Sequence, residues 1–322
     1  MSDKNPCILF CSLSAKTALY REVNANVQLF SKKAKVIACD CDINCHAASE
    51  VEHFIVLPRL NELTDEALLK ICHDNQITHI LPTRDSELLF WAERKEMLKR
   101  HDIIAWVSDP SFIRHCDDKL IFSKVWHDSE MKIIPAFESP LNPKINRWVA
   151  KARSGSGSRK VWLNLSKEDI NKLPNRISEN LIFQPFIEGK EFTAEMWISQ
   201  SRQCRGPLLR WRNKIVNGES HLTTIFQNKQ WESLLRSVFL HQPGALGHCL
   251  AQVIVDQDCK LHLIEINPRL GGASPLALHA GLNSIAWHLM EESGQINEIP
   301  QKPNFPAGMY LKKQNGSVSF NY

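Results

Sequence analysis

The chain has 322 residues and a formal net charge of +4, with 43% hydrophobic and 23% charged residues. This length allows two or three compact units, and the composition is ordinary for a globular protein. The small positive charge does not indicate a protein that binds nucleic acid, although it is compatible with an anionic ligand. Because no run of 18 apolar residues is present, we predict no membrane span.

The N-terminus and the cysteines both indicate a cytoplasmic protein. The segment at 1–6 has no apolar core of the kind found in secretory signals. Ten cysteines are scattered along the sequence, and many of them lie within apolar runs. This distribution is typical of buried, reduced thiols and not of a disulfide framework.

Residues 1–107 alternate short apolar runs with amphipathic patterns. Five runs predict strands, at 7–12, 36–40, 54–57, 79–82 and 103–107. Two longer stretches predict helices, at 60–75 and 86–100. The alternation indicates a parallel sheet covered by helices, as in Rossmann-like domains. The loop after the first strand contains no glycine, so we do not predict a dinucleotide site there.

Polar side chains follow the fourth predicted strand. These residues are Thr83, Arg84, Asp85 and Glu87. Polar residues at the carboxyl end of a parallel strand often face a ligand crevice, which makes Arg84 a candidate substrate contact. Capping of the next helix by Thr83 or Asp85 explains some of them equally well.

Residues 108–187 combine a helix with a loop of small residues. Asp117 or Asp118 is a plausible N-cap for the helix. A short strand at 148–151 ends at Lys151, and the segment at 152–160 then reads Ala-Arg-Ser-Gly-Ser-Gly-Ser-Arg-Lys. The backbone N–H groups of such a loop can surround phosphate oxygens, while Lys151 adds charge. A flexible Gly/Ser hairpin loop would show the same pattern.

Residues 188–322 follow a strand predicted at 181–187. Several strand patterns follow one another here, which predicts an antiparallel sheet with flanking helices. An adenine ring could pack near Phe186 and Ile187. Arg210, Arg212 and Lys214 alternate along one predicted strand, so they share a face. They could receive a substrate carboxylate, and a solvated basic face is an equally good explanation.

The most informative segment is the strand predicted at 260–267 with the turn that follows it. Side chains alternate along a strand, so Glu265 and Asn267 should share one face while Ile264 and Ile266 point to the other. A carboxylate and an amide oxygen are hard ligands that suit Mg²⁺ or Mn²⁺. The guanidinium of Arg269 suits a planar anion such as a carboxylate or an acyl phosphate. A buried strand that ends in a polar turn is the plain alternative.

Three separated segments together resemble the ATP-grasp superfamily. They are the basic strand with its Gly/Ser loop, Gln-Pro-Phe-Ile-Glu-Gly-Lys-Glu at 184–191, and Glu-Ile-Asn-Pro-Arg-Leu-Gly-Gly at 265–272. Their order and rough spacing are similar to those of the branch that includes the carbamoyl-phosphate synthase large chain. The resemblance covers nearly the whole chain. The chain contains one such module, and it shows neither a glutaminase nor an allosteric domain, so complete carbamoyl-phosphate synthesis is not predicted.

The resemblance implies a mixed fold class, α/β and α+β. A Rossmann-like pre-ATP-grasp domain at 1–107 is expected to precede an ATP-grasp fold of two subdomains. The N-terminal subdomain, at 108–187, would carry the linker helix and the phosphate loop. The C-terminal subdomain, at 188–322, would carry the metal and substrate sites.

The resemblance also implies roles for individual residues. The expected ATP contacts are Lys119, Lys151, Ser154, Gly155, Ser156, Gly157, Gln184, Phe186, Ile187 and Glu191. The expected magnesium ligands are Gln252, Glu265 and Asn267, and the expected catalytic residues are Arg269 and Lys151. Two departures stand out, because many relatives have an acid in place of Gln252 and a glycine in place of Lys160.

The activity that the resemblance implies is an ADP-forming carboxylate–amine ligase that works through an acyl phosphate. Its substrates would be a small-molecule carboxylate and an amine, with ATP and Mg²⁺, and a homodimer is common among such proteins. Two alternatives remain open. One is an enzyme that phosphorylates bicarbonate, as carboxylases do, and the other is a nucleotide-binding module without catalysis.

Overall fold

The computed structural model describes residues 5–126, 131–155, 161–173, 180–314 and 316–322, which form three sheets. Within these ranges, no helix combines the length and the apolar character needed to cross a bilayer. Eight of the ten cysteines are buried, as expected from their positions in apolar runs.

The first sheet is parallel, as predicted. Its strands are β1 Cys7–Phe10, β2 Lys35–Asp40, β3 Phe54–Val56, β4 His79–Leu81 and β5 Ile104–Ala105, in the order β3-β2-β1-β4-β5. The helices packed on it are α1 Thr17–Phe30, α2 Asp65–Asp74, α3 Asp85–Glu93 and α4 Lys95–Lys99. The helix predicted at 86–100 is therefore two helices, which meet at Arg94.

Helix α1 was not predicted, although its buried residues have helical spacing. Leu19, Tyr20, Val23 and Val27 face the core, and the polar Asn26 interrupts their stripe. The tertiary structure explains this exception, because Asn26 contacts a helix from the C-terminal end of the chain.

A linker and a small sheet follow the parallel sheet. The linker contains α5 Pro110–Asp117, α6 Lys119–Val125 and β6 Lys132–Ile133. Asp118 caps α6 by accepting hydrogen bonds from the N–H groups of Leu120 and Ile121 at 3.0 and 3.1 Å. The small sheet is antiparallel in the order β8-β7-β9, from β7 Trp148–Ala152, β8 Val161–Leu165 and β9 Leu181–Pro185. Helix α7, Lys167–Asn171, follows β8.

The large sheet has eight strands in the order β16-β15-β12-β11-β10-β13-β14-β6. Its remaining strands are β10 Gly189–Ile198, β11 Cys204–Val216, β12 Glu219–Phe226, β13 Gly247–Asp256, β14 Leu261–Asn267, β15 Tyr310–Gln314 and β16 Ser317–Asn321. Every pair is antiparallel except β14 with β6, so the predicted antiparallel sheet is confirmed. The flanking helices are α8 Lys229–Leu240, α9 Ser274–His279 and α10 Ser284–Glu292.

The two faces of the large sheet differ in polarity. One face packs on α8 through a core that contains Phe192, Leu263 and Ile266. The prediction that Ile264 shares this face with Ile266 is wrong. The pairing register shifts between Gln252 and Val253, which leaves Ile264 as an extra residue in β14 and interrupts the alternation.

The C-terminal helix α10 is fastened to the parallel sheet domain by buried polar groups. The Asn26 carbonyl oxygen accepts from the N–H groups of Ile285 and Ala286 at 3.2 and 3.0 Å. The Asn26 amide donates to Asn283 Oδ1 at 2.9 Å. Asn26 thus satisfies first-turn N–H groups of α10 that have no partner within the helix.

A second polar contact lies further along α10. Glu292 accepts hydrogen bonds from Trp106 Nε1 and pairs with His79 Nε2, both at 2.8 Å. The His288 ring stacks on Trp106 with centroids 5.1 Å apart. Burial lowers the pKa of His288 to about 4; Glu292 opposes this shift, while His79 and His248 add to it. His288 is therefore neutral when folded, near neutral pH.

Asn26→Ala should reduce the free energy of unfolding by about 1–3 kcal/mol, because two buried N–H groups lose their acceptor. Urea titration at neutral pH measures this difference. Asn24→Ala, on the same helix but without these bonds, should change the stability much less. Equal effects of the two substitutions would contradict the proposed fastening of α10.

His288 should make the protein less stable in acid. The unfolded chain binds a proton at His288 below about pH 6.5, whereas the folded state resists it until about pH 4. The contribution of the neutral ring to the free energy of unfolding is therefore fully present above pH 6.5. This contribution falls by about 3 kcal/mol as the pH drops to 4.

Urea titrations at pH 7 and pH 4.5 measure the effect, and His288→Gln should lose less stability between these two pH values than the wild type. His73→Gln, at an exposed histidine, is the control and should lose as much as the wild type. A pH dependence unchanged by His288→Gln would disprove the assignment.

Candidate functional site

A cleft opens where the linker helices, the loop after β7 and the end of β14 meet. Its lining residues include Asp117, Lys119, Gly155, Glu265 and Asn267. Residues 265–268 at the end of β14 form one side, and α3, the linker helices and Gly155 form the other. The cleft therefore brings together residues that are as far apart as 117 and 267 in the sequence.

Lys119 lines this cleft, and Lys151 is a second lysine near it. Lys119 begins α6, and its Nζ donates to the Gly155 carbonyl at 2.8 Å. Lys151 is buried in β7, and burial lowers its pKa to about 8. The carboxylates of Glu265 and Glu191 raise this pKa, while Lys119 lowers it further. Lys151 thus lies within electrostatic range of both carboxylates and of the other lysine.

Glu265 and Asn267 line the cleft at the end of β14, and Gln252 is beside Glu265 on β13. Gln252 and Glu265 are direct partners in the β13–β14 register, and Asn267 Nδ2 donates to Glu265 Oε1 at 3.0 Å. In the described ranges, no group of three or more His, Cys, Asp or Glu side chains could hold a metal ion. This donor set, one carboxylate with two amides, fits Mg²⁺ only if water or phosphate completes the coordination, which is its usual preference.

The loop of small residues is described in part. Ser154 and Gly155 follow β7, while Ser156 and Gly157 lie outside the described residues. Gly155 has a φ of +89°, and its N–H donates to Asp117 Oδ1 at 3.2 Å. A positive φ favours glycine, so this turn depends on residue 155 having no side chain.

The segment expected to contact the adenine has structural bonds of its own. Gln184 is buried, and its Nε2 donates to the Ile134 carbonyl at 2.9 Å. The Phe186 N–H donates to the Arg147 carbonyl at 2.9 Å. A base could therefore contact other groups near Phe186 and Ile187, but the Phe186 N–H already has an acceptor.

Arg269 contacts the N-terminal domain. Its Nε donates to Asp85 Oδ1 at 2.7 Å, and its Nη2 pairs with Asp85 Oδ2. Burial would lower the pKa of Arg269, but the pair with Asp85 raises it overall. The bidentate pair fixes the plane of the guanidinium beside the cleft.

The helix for which capping by Thr83 or Asp85 was considered begins after Arg84, and Glu87 of its first turn bonds back to the backbone there. Glu87 Oε1 accepts from the N–H groups of Thr83 and Arg84 at 2.7 and 2.8 Å. Thr83 instead donates its hydroxyl to the Cys11 carbonyl at 2.6 Å, and Asp85 pairs with Arg269. A carboxylate reaching back from within the first turn caps this helix.

A buried charged network behind the cleft was not predicted. Arg210 Nε donates to Glu195 Oε1 at 2.6 Å, and both side chains are almost fully buried. Glu195 Oε2 also accepts from Ser274 Oγ at 2.5 Å and pairs with His248 Nε2 at 2.9 Å. Burial alone would raise the pKa of Glu195, yet Arg210 and His248 bring it to about 2. Ser274 Oγ accepts from the Gly271 N–H at 2.7 Å, so the network reaches the turn after Arg269.

The sequence left two explanations for the basic strand that carries Arg210: a contact with a substrate carboxylate, or a solvated basic face. Arg210 fits neither explanation, because it is buried and bonded to Glu195. Arg212 lies with its Nε 3.2 Å from Glu191 Oε1 and donates to the Gly218 carbonyl at 2.7 Å. Lys214 is exposed, and the register shifts between it and Arg212. The sequence did contain a signal for the buried network. Side chains alternate along a strand, so Glu191 and Glu195 share a face of β10, and this predicts a second charged position on that face.

Two protein-family models match the chain. The first is described as PylC-like, N-terminal domain, and it matches residues 8–105. The second is described as ATP-grasp domain, and it matches residues 116–273. A search of proteins with curated functions gave no match.

Solved structures with a similar fold cover almost the whole chain. The N5-carboxyaminoimidazole synthetase from Staphylococcus aureus, complexed with ADP, is 13% identical, with a TM-score of 0.75 over 98% of this chain and 84% of that chain. The biotin carboxylase domain of the 2-oxoglutarate carboxylase from Hydrogenobacter thermophilus is 14% identical, with a TM-score of 0.74 over 96% and 74%. Biotin carboxylase from Campylobacter jejuni is 12% identical, with a TM-score of 0.72 over 96% and 75%.

These structural matches show the fold, and the two family models match successive parts of the chain. The predicted fold class, with a Rossmann-like domain before an ATP-grasp fold, is confirmed. The narrower likeness to the carbamoyl-phosphate synthase branch stays a prediction. The chain thus contains an ATP-grasp domain at residues 116–273, which follows a PylC-like N-terminal domain at residues 8–105.

Proposed function

We propose that the protein is an ADP-forming ligase that joins a small carboxylate to an amine through an acyl phosphate. One observation carries the proposal: Lys119, Glu265 and Asn267 line a single cleft, and Lys151 lies within electrostatic range of Glu265. Cations on one wall and oxygen ligands on the other form a suitable site for a triphosphate and its magnesium ion. The proposal keeps the three predicted units, at residues 1–107, 108–187 and 188–322.

The roles of the nucleotide residues follow from their places in the cleft. Lys119 and Lys151 would bind phosphate oxygens, together with the N–H groups of the loop that contains Ser154 and Gly155. Glu265 and Asn267, with Gln252, would hold Mg²⁺, which neutralises negative charge on the phosphates when bound. The other proposed ATP contacts are Ser156, Gly157, Gln184, Phe186, Ile187 and Glu191.

The chemistry balances in two steps. A carboxylate oxygen of the substrate attacks the γ-phosphorus of ATP, the bond to the bridging oxygen breaks, and ADP leaves. The amine nitrogen then attacks the acyl carbon, inorganic phosphate leaves, and the nitrogen loses a proton. Arg269, oriented by Asp85, would stabilise the oxyanion that forms during the second step.

A bicarbonate-phosphorylating enzyme is the second candidate, because similar folds occur in biotin carboxylases, including one in complex with MgADP and bicarbonate. A homodimer is part of either proposal, since the Hydrogenobacter thermophilus domain is described as a dimer. An assay of ADP release with MgATP distinguishes the two candidates. Stimulation that needs a carboxylate and an amine supports the ligase, whereas stimulation by bicarbonate alone supports the second candidate. ATP binding without stimulation by any of these would mean a non-catalytic module.

Glu265→Ala should reduce substrate-dependent ADP release about 100-fold or more, because the only carboxylate of the proposed metal set is lost. Release of ADP from MgATP, measured with the stimulating substrates, is the test. Glu298→Ala, at an exposed carboxylate of the C-terminal part, should retain full activity. Wild-type turnover by a correctly folded Glu265→Ala variant would refute the metal assignment.

A further inference from the structure

The linker side of the ATP-grasp cleft carries an acidic side chain. Asp117 lines this side together with Lys119 and Gly155, opposite Glu265 and Asn267 at the end of β14. A carboxylate in this place repels the phosphate groups that the proposed function puts in the cleft. Lys119 has an evident part in binding such groups, whereas the presence of Asp117 needs a separate explanation.

Asp117 accepts a hydrogen bond from a backbone group that a phosphate could use. The Gly155 N–H donates to Asp117 Oδ1 at 3.2 Å. A Cβ atom placed on Gly155 would meet no atom of the described residues within 4 Å. Space is therefore present beside Gly155, and a phosphate oxygen could replace the carboxylate oxygen as the acceptor of this N–H.

Other contacts hold the loop to the start of α6. The Lys119 N–H donates to the Arg153 carbonyl at 3.0 Å, and Lys119 Nζ donates to the Gly155 carbonyl at 2.8 Å. The guanidinium of Arg153 contacts Asp118 Oδ2 at 2.8 Å through both Nε and Nη2. None of these contacts involves Asp117, so the loop can keep its position when the Asp117 side chain moves away.

The two neighbouring aspartates differ in how firmly they are bound. Burial alone would raise the pKa of Asp118, but Arg153 and the N–H groups at the start of α6 lower it overall. Asp117 is exposed, and within the described ranges its side chain has the bond to Gly155 and no ion pair. A single exposed hydrogen bond of this length contributes little free energy, so a ligand can displace Asp117 at small cost.

We propose that Asp117 occupies the Gly155 N–H in the nucleotide-free protein and leaves it when a phosphate group of the nucleotide binds. This inference rests on the proposed function, because it takes the cleft as the phosphate site. Binding of the nucleotide then breaks the bond between Asp117 and Gly155 and leaves a carboxylate near the phosphates. Asp117 therefore lowers the affinity for nucleotide, and it is not a catalytic residue.

Titration calorimetry with the full-length protein, Mg²⁺ and the β,γ-imido analogue of ATP tests the inference. Asp117→Asn should lower the Kd of the analogue about tenfold. One negative charge beside the phosphates is removed, and an uncharged amide oxygen competes less well than a carboxylate for the Gly155 N–H.

Two variants that remove one negative charge elsewhere are the controls. Asp118→Asn changes the next residue but breaks the pair with Arg153, so the Kd of the analogue should stay the same or rise. Glu96→Gln, at an exposed carboxylate of α4, should leave the Kd unchanged. Thermal unfolding checks that each variant is folded. An Asp117→Asn variant whose Kd is unchanged or higher would overturn the inference, and so would an equal decrease of the Kd in Asp118→Asn.

A crystal structure of the full-length protein with Mg²⁺ and the same analogue gives a second test. A phosphate oxygen should accept the hydrogen bond from the Gly155 N–H, and the Asp117 side chain should have turned away. A bound analogue with Asp117 still bonded to this N–H would overturn the inference.

The same measurements separate this inference from the proposed function. An unchanged affinity of Asp117→Asn would overturn the inference alone, provided that the wild type binds the analogue and substrates stimulate ADP release. Failure of the wild-type protein to bind the analogue with Mg²⁺ would instead overturn the proposed function, and the inference with it.

Discussion

The ion pair between Arg269 and Asp85 links the two halves of the protein at the site. Arg269 follows β14, which carries the proposed metal ligands, and Asp85 begins α3 of the parallel sheet domain. Because the contact is bidentate and largely buried, it fixes the orientation of the guanidinium as well as its position. This pair of charges lies beside the proposed phosphate cleft, because Asp85 is one of the residues that line it.

Burying the charged groups on the polar face of the large sheet is unfavourable in free energy. Ion pairs and hydrogen bonds to these groups offset the cost. Glu195 is completely buried, yet it has Arg210, His248 and Ser274 around it. A buried carboxylate without such partners would be strongly destabilising. The hydrogen bond from the Gly271 N–H to Ser274 Oγ joins this network to the turn after Arg269. We infer that the network supports the geometry of the site without contacting the substrates.

Sequence patterns predicted those parts of the fold that depend on local periodicity. The parallel strands, helix α2, the cap at Asp118 and the antiparallel sheet were all found in this way. Helix α1 was not predicted, because Asn26 interrupts its apolar stripe. The side chain of Asn26 instead bonds to a helix more than 250 residues away in the sequence. The bulge at Ile264 was missed because it arises from the register with β13, which no local pattern reports.

The same distinction holds for the candidate site. Glu265 and Asn267 are close in the sequence, so strand alternation alone predicted that they share a face, with Arg269 in the turn that follows. The sequence also determined the superfamily, because three motifs occur in a fixed order. Only the tertiary structure decided that Arg210 belongs to a buried network and that Arg269 pairs with Asp85 of the parallel sheet domain. The first set of contacts joins distant segments of one domain and the second joins two domains. Both depend on packing and burial that no local pattern of residues encodes.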